Sequence, residues 1–460
     1  MHQLSNTRSL PAATMAPRTV RMLQAPILST LIRLGWPNVL VMLAQSATGL
    51  IEAAFIGRLG TDALAGMALV FPGFMLMQMM SAGAMGGGIS SAVARALGAG
   101  RREEADSLSV HALVINGVLG LLFTAAGLLA GPALYGAMGG KAGVLQAALQ
   151  YSNVVFGGAV LAWVFNALAS CIRGTGNMLT PALVVCGGVV LLVPLSPCLI
   201  FGVGPLPALG VAGGGVAMLL YYLLGGAVMV WYLASGKAVI RLRAARLRWA
   251  SLWSILRVGL VASLVTVQTN LVVVLTTAQV SAFGAGAIAG YGTGTRLEYL
   301  LVPLTFGLGA PLVALVGTNL GAGQRGRAVR AAWTGAGLAF VLTEAVGLAA
   351  ATWPDAWLRL FGSDPAMLSS GAAYLRSVGP FYGFFGFGMA LYFASQGAAK
   401  LLWPLVAAVL RMLVAVIGSA VVLRWTGSLS AMFLVLGLAM MVFAGVNSAA
   451  VAAGVWFRGR

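Results

Sequence analysis

Charge is what this sequence has least of. Only 8% of its 460 residues are Asp, Glu, Lys or Arg, while 60% are hydrophobic. Soluble domains run at about 25% charged. No soluble fold hides that much apolar surface from water, so the chain reads as an integral membrane protein. Its apolar runs are continuous, without the alternation of a membrane barrel. Cysteine is scarce too. Cys171, Cys186 and Cys198 form no CxxC pair and read as small packing residues, with no disulfide or thiolate metal site. Of the two histidines, His2 lies in the tail and His111 reads as structural.

Catalytic motifs are missing as well. There is no GxxxxGK[ST] to drive transport by ATP, and no HExxH or GxSxG. No two acids lie close together in an apolar run, as a metal–phosphate transferase would need. The chain therefore reads as a non-enzyme with no cofactor or metal. The net charge of +18 reads as the basic bias of cytoplasmic loops, with no nucleic-acid partner.

What is present is a series of apolar runs, each long enough for the ~20 residues of a membrane helix. Twelve helices are expected, near 36–57, 63–96, 107–133, 148–173, 179–203, 209–235, 251–283, 286–318, 328–351, 371–397, 402–424 and 430–456. With both termini inside, 19 basic residues fall in cytoplasmic segments, from Arg8 to Arg460, and four in outer loops: Arg58, Lys141, Arg359 and Arg424. That asymmetry supports an even number of spans. Residues 1–26 are basic, carry no acid and lack a secretory apolar core, and read as a cytoplasmic tail. The most basic loop, 236–250, falls at mid-chain and reads as a linker between an N-terminal bundle, 27–235, and a C-terminal bundle, 251–460.

A repeat supports that division. Leu97-Gly98-Ala99-Gly100 recurs as Leu320-Gly321-Ala322-Gly323, and Gly174 and Pro181 as Gly397 and Pro404, all at an offset of 223. Arg33 and Gly35 recur as Arg257 and Gly259, at an offset of 224. The offset spans six helices, an even number, so the halves are parallel repeats with a substrate site expected near the midplane between them. The fold class is thus all-α, twelve transmembrane helices in two pseudo-symmetric six-helix bundles.

Only nine acids occur, and Glu52, Glu298 and Glu344 are the three inside expected helices. A charge at the centre of a membrane helix costs about 2.5–3.5 kcal/mol, so each is a functional candidate. Glu52, in GLIEAAFIG, shares a polar stripe with Gln45, Ser46 and Thr48; the bland alternative is a glutamate that snorkels to water. Glu298 follows Tyr291 and Thr295 on a second stripe, with Arg296 on another face, and reads equally as coupling acid or anchor. Glu344 reads as a hydrogen-bonded helix anchor or a cavity residue. Burial disfavours the charged form of a carboxyl, so such a group can take a proton on one side and release it on the other. Met75, Met77, Met79 and Phe381 could give an adaptable apolar wall.

Five segments together resemble a known family: Pro37 with GLIEAAFIGRLGTDALAGMAL, ARALGAGRREEAD, CIRGTGNMLTP, LIFGVGPLPALGVAGGGVA and VGTNLGAGQRGRA. The chain resembles the multidrug and toxic compound extrusion (MATE) transporters, of the bacterial NorM-like or DNA-damage-inducible kind. The resemblance implies a monomeric multidrug efflux antiporter in the bacterial inner membrane, exchanging amphipathic organic cations for H+ or Na+ by alternating access. It implies a coupling acid at Glu52, where relatives usually carry aspartate, and a hinge at Pro37. Two departures stand out. Ser196 replaces an aspartate common in helix 5, and helix 7 has Gln268, Thr269 and Asn270 where NorM-like relatives often have glutamate. Glu298 is therefore the expected second coupling acid, with Gln45, Gln268, Asn270, Tyr291, Tyr382 and Glu344 as cavity candidates. The rival reading is a lipid-linked oligosaccharide flippase of the wider superfamily. It would need several basic residues in its cavity, and only Arg296, Arg376 and Arg411 are placed to reach one.

Overall fold

The computed structural model describes residues 15–202 and 207–457, and these form only helices and their connections. Residues 1–14, 203–206 and 458–460, which include His2, Arg8, Arg458, Arg460 and part of the LIFGVGPLPALG motif, lie outside the described residues. The chain runs α1 (Pro17–Gln24), α2 (Ile27–Gly57), α3 (Thr61–Gln78), α4 (Gly86–Gly98), α5 (Arg102–Ala137), α6 (Ala142–Gly157), α7 (Ala159–Gly174), α8 (Leu179–Phe201) and α9 (Val211–Ala234). The second half runs α10 (Trp249–Val280), α11 (Ala285–Gly321), α12 (Arg325–Thr352), α13 (Pro354–Leu358), α14 (Pro365–Val378), α15 (Tyr382–Gly397), α16 (Leu402–Leu413), α17 (Ser419–Thr426) and α18 (Leu429–Ala452). A π-helical stretch, Met79–Met85, carries α3 into α4, and another, Val414–Gly418, carries α16 into α17.

All twelve expected helices are there, with three corrections. The first begins at Ile27, well before position 36. Its early turns carry Ser29, Thr30 and Arg33, too polar to read as apolar run, yet Thr30 Oγ1 donates to the Pro26 carbonyl at 2.7 Å and Leu31 is fully buried. The fourth begins at Ala142 and bends by 46° between α6 and α7 at Gly158. The tenth begins at Pro365, capped by Asp364, whose Oδ1 accepts from Met367 N at 2.7 Å. It breaks at a 3-10 turn, Gly379–Phe381, where Pro380 has no N–H to continue the ladder. The two breaks stand at equivalent places of the repeat, Gly158 matching Phe381 at the offset of 223. Among the described residues, ten helices are long and apolar enough to cross a membrane by themselves, and the bent α6–α7 pair passes the same test when joined. Large apolar side chains such as Leu129, Val190 and Trp425 are mostly exposed, as expected of surfaces that meet lipid.

The described chain divides into two compact units. Unit 1 takes the chain up to Ala25, Trp36–Gly259 and Gly317–Gln324; unit 2 takes Pro26–Gly35, Leu260–Val316 and the chain from Arg325 on. The division differs from the 27–235 and 251–460 read in sequence. The first turns of α2 pack in unit 2, the first turns of α10 pack in unit 1, and the last turn of α11 packs in unit 1.

Packing reproduces the repeat. A Cβ at Gly98 would overlap the Thr318 carbonyl oxygen, and one at Gly321 would overlap the Arg95 carbonyl oxygen. Each contact maps onto the other by adding or subtracting 223. Likewise Gly174 crosses Ser90 and Val93, and Gly397 crosses Val313 and Val316. Gly259 faces Met85, and Gly35 faces Leu308. Small residues let membrane helices approach closely, and at the Gly98, Gly174, Gly321 and Gly397 crossings a Cβ would already overlap the neighbouring helix.

The basic linker is not free. The Arg241 amide donates to Asp106 Oδ1 at 2.8 Å and the Arg248 amide to His111 Nε2 at 2.9 Å. His111 Nδ1 lies 2.7 Å from the Ser107 carbonyl oxygen, which fixes the proton on Nδ1. Ile240 is fully buried. His111 is structural: it pins the linker.

Candidate functional site

Helix α2 carries Glu52 into the interior of unit 1. The residue is only 4% exposed, which argues against snorkelling. Thr48, one turn earlier, is buried as well. Gln45 is exposed but lies beside the Tyr221 hydroxyl of α9, and the Ser46 side chain lies outside the described residues. The stripe read in sequence thus runs from an open end at Gln45 to a buried end at Glu52. Tyr151 on α6 donates its hydroxyl to Glu52 Oε1 at 3.4 Å. Helix α9 passes beside the carboxylate at Gly214, where a Cβ would stand 2.8 Å from Oε1. Farther along α9, the Tyr222 hydroxyl accepts a hydrogen bond from Gln78 Nε2. Asn166 on α7 donates to Gln78 Oε1 at 3.0 Å and Ser81 Oγ at 2.9 Å. Phe165, Tyr221 and Tyr222 complete the wall, with ring centroids 5.0–5.5 Å apart. A buried carboxylate thus stands among neutral hydrogen-bonding groups. Asn166, Gln78, Tyr151 and Tyr222 were missed in sequence, because single polar residues in separate helices have no local pattern to join them.

In unit 2 the corresponding acid is Glu298 on α11. Tyr374 on α14 donates to its Oε2 at 3.0 Å, and Arg411 on α16 pairs with its Oε1 at 3.3 Å. Tyr291 meets Tyr374 edge-on with centroids 5.3 Å apart, and Tyr382 is fully buried nearby. Tyr291 and Tyr382 therefore gather around Glu298. Of the three basic candidates, Arg296 and Arg376 are exposed and only Arg411 is buried.

Other candidates lie apart. Gln268 is buried with neither amide atom hydrogen-bonded among the described residues, while Asn270 Nδ2 donates back to the Thr266 carbonyl at 2.9 Å. Glu344, half-buried on α12, accepts from the Gly383 amide at 2.6 Å, satisfying a backbone donor at the start of α15. Pro37 lies inside α2, just after the helix passes from unit 2 to unit 1; it cannot donate to the Arg33 carbonyl. Ser196 is buried, its hydroxyl unpartnered among the described residues. The three cysteines are free. Among the described residues, no three His, Cys, Asp or Glu side chains come together to hold a metal.

The family model described as MatE matches this chain twice, over residues 37–198 and 261–421, so that the second match begins one repeat offset, 224, after the first. The chain belongs to the MatE family. Among relatives, a probable multidrug resistance protein NorM of Deinococcus radiodurans is 31% identical over 346 residues, covering 70% of this chain and 73% of the relative. An FAD transporter of Shewanella oneidensis is 27% identical over 367 residues, covering 79% and 80%. A MOP superfamily transporter from Pyrococcus furiosus has the same fold, with TM-score 0.87 at 24% identity over 96% of this chain and 98% of that one. MatE membership makes the chain a multi-pass membrane transporter with the twelve-helix, two-bundle architecture of its structural relatives.

Proposed function

We propose that this MatE protein is a multidrug efflux antiporter that exports amphipathic organic cations across the bacterial inner membrane, working as a monomer with both termini cytoplasmic. The multidrug resistance relatives support efflux, and the observation that carries coupling is Glu52. It is a buried acid whose one hydrogen-bonding partner among the described residues is a tyrosine hydroxyl. In a low-dielectric interior such a carboxylate is stable when it holds a cation and strained when bare. Substrate cation and coupling ion therefore compete for it, and that competition is antiport. Helix α9 passes the carboxylate closely at Gly214, and the one side-chain oxygen bonded to it among the described residues is the Tyr151 hydroxyl; that is few oxygens for sodium, so the proton is the favoured coupling ion. Pro37, at the point where α2 changes units, is the proposed hinge for alternating access. The flippase reading has less support, since Arg411 is the one buried arginine of its three and is already paired.

The test is ethidium accumulation in an efflux-deficient bacterium expressing the wild type or Glu52→Gln at matched levels. Lower accumulation with the wild type alone supports the reading. A proton uncoupler should abolish the difference, and sodium removal should not. Equal efflux by the two proteins would move coupling away from Glu52.

A further inference from the structure

In unit 2, Glu298 is paired with a cation of the same unit. Arg411 and Glu298 keep only 9% and 18% of their side-chain surfaces open. The guanidinium lies over the Phe385 and Phe443 rings, 5.2 and 5.9 Å from their centroids. Tyr374 holds the second carboxylate oxygen. Glu298 comes from α11, Arg411 from α16 and Tyr374 from α14, so three helices converge on one ion pair.

Such a pair restricts what can bind there. A monocation that took Glu298 would displace Arg411 and strand its charge among aromatic rings. A monoanion that took Arg411 would strand the carboxylate. Removing one partner of a buried pair is strongly unfavourable, because an uncompensated charge remains. A ligand bearing both charges avoids this, since its cation meets Glu298 while its anion meets the arginine fork, which suits carboxylate and phosphate. The exchange is electroneutral, and Phe385 and Phe443 can stay on the guanidinium throughout.

We infer that Glu298 and Arg411 form a subsite for zwitterionic substrates, with the substrate's cationic group on Glu298 and its carboxylate or phosphate on Arg411. This rests on the efflux reading and narrows it. Glu52, with no partner cation among the described residues, serves monocations and the coupling ion, whereas Glu298 serves molecules that bring their own counter-charge.

Two dyes with one skeleton test it. Rhodamine 110 carries a xanthylium cation and a free carboxylate; rhodamine 123 is its methyl ester, a monocation. Binding of each to the full-length protein in lipid nanodiscs is measured by fluorescence anisotropy. The wild type should bind both. Arg411→Gln should weaken the free acid about tenfold or more, while the ester binds as well as before or more tightly, because its cation can now take the freed Glu298. Equal weakening of both dyes, or of neither, overturns the inference. Should Arg411→Gln fail to fold, Arg411→Lys keeps the charge but not the fork, and its acid-to-ester preference should fall about threefold or more; an unchanged preference overturns the inference. Wild type that binds the ester alone rejects the zwitterion subsite and leaves cation efflux standing. Wild type that binds neither dye rejects both.

Discussion

Tyr151 and Tyr374 occupy equivalent positions of the two repeats, and each donates its hydroxyl to an acid of its own unit, Glu52 at 3.4 Å and Glu298 at 3.0 Å. The donors match at the offset of 223, and the acids do not match at all. Adding 224 to Glu52 reaches Thr276, and subtracting 223 from Glu298 reaches Met75. The two halves keep the tyrosine and draw its acceptor from different helices. One acid has a phenol alone; the other has a phenol and a guanidinium.

That difference sets the response to losing the hydroxyl. Tyr374→Phe leaves Glu298 with Arg411, and should lower thermal stability by about 1–2 kcal/mol with ethidium efflux retained. Tyr151→Phe removes the one hydroxyl that Glu52 holds and should slow efflux several-fold at matched expression. Equal effects on efflux would mean the two acids work alike.

Gly214 tests how closely α9 must pass Glu52. In Gly214→Ala the new methyl would stand 2.8 Å from the carboxylate oxygen, so the acid or the helix must shift. Efflux should fall toward that of Glu52→Gln. Gly226→Ala, on the same helix in open space, is the control and should be silent in the accumulation assay.

Glu344 separates anchoring from coupling. Glu344→Gln keeps a carbonyl oxygen for the Gly383 amide and Glu344→Ala does not. Alanine should lower stability by about 1–3 kcal/mol, the range for orphaning a buried donor, and glutamine by clearly less, as read by thermal unfolding in detergent. Efflux should survive both. Glutamine that stops efflux at wild-type stability would instead place Glu344 in the transport path.

His111 predicts protease sensitivity. In His111→Ala the Arg248 amide loses its acceptor, and the linker keeps its Asp106 bond and the buried Ile240. Trypsin should cut after Arg243, Arg246 or Arg248 several-fold faster than in the wild type, with efflux little changed. Equal cleavage rates would show that the buried Ile240 holds the strap without the imidazole.

Much of the architecture was legible because it is written in residue types with one physical use. Glycine at a helix crossing cannot be replaced without moving a backbone, so Gly98 and Gly321 marked the repeat before any contact was known. The apolar runs marked the helices wherever lipid or core surrounds them. Reading failed where polarity has a local remedy. Ser29, Thr30 and Arg33 hid the start of α2, although Thr30 bonds back to its own turn. It also failed where a partner is remote. Glu298 was singled out, but Arg411 comes from another helix far along the chain, and nothing near either residue announces the pair. The stripe on α2 gave a side of the helix but not a depth: Thr48 and Glu52 are buried while Gln45 stays exposed.

The reciprocal crossing of Gly98 with Thr318 and of Gly321 with Arg95 also governs the order of biogenesis. Unit 1 includes residues up to Gln324, so it cannot close when the linker leaves the ribosome. Helices α2 to α9 must wait in the bilayer, with the Gly98 crossing unfilled, until α10 and all of α11 have been synthesised. A chain cut at the linker would give an N-terminal fragment that inserts but stays unfinished, and co-expression of the second fragment would supply the missing turn.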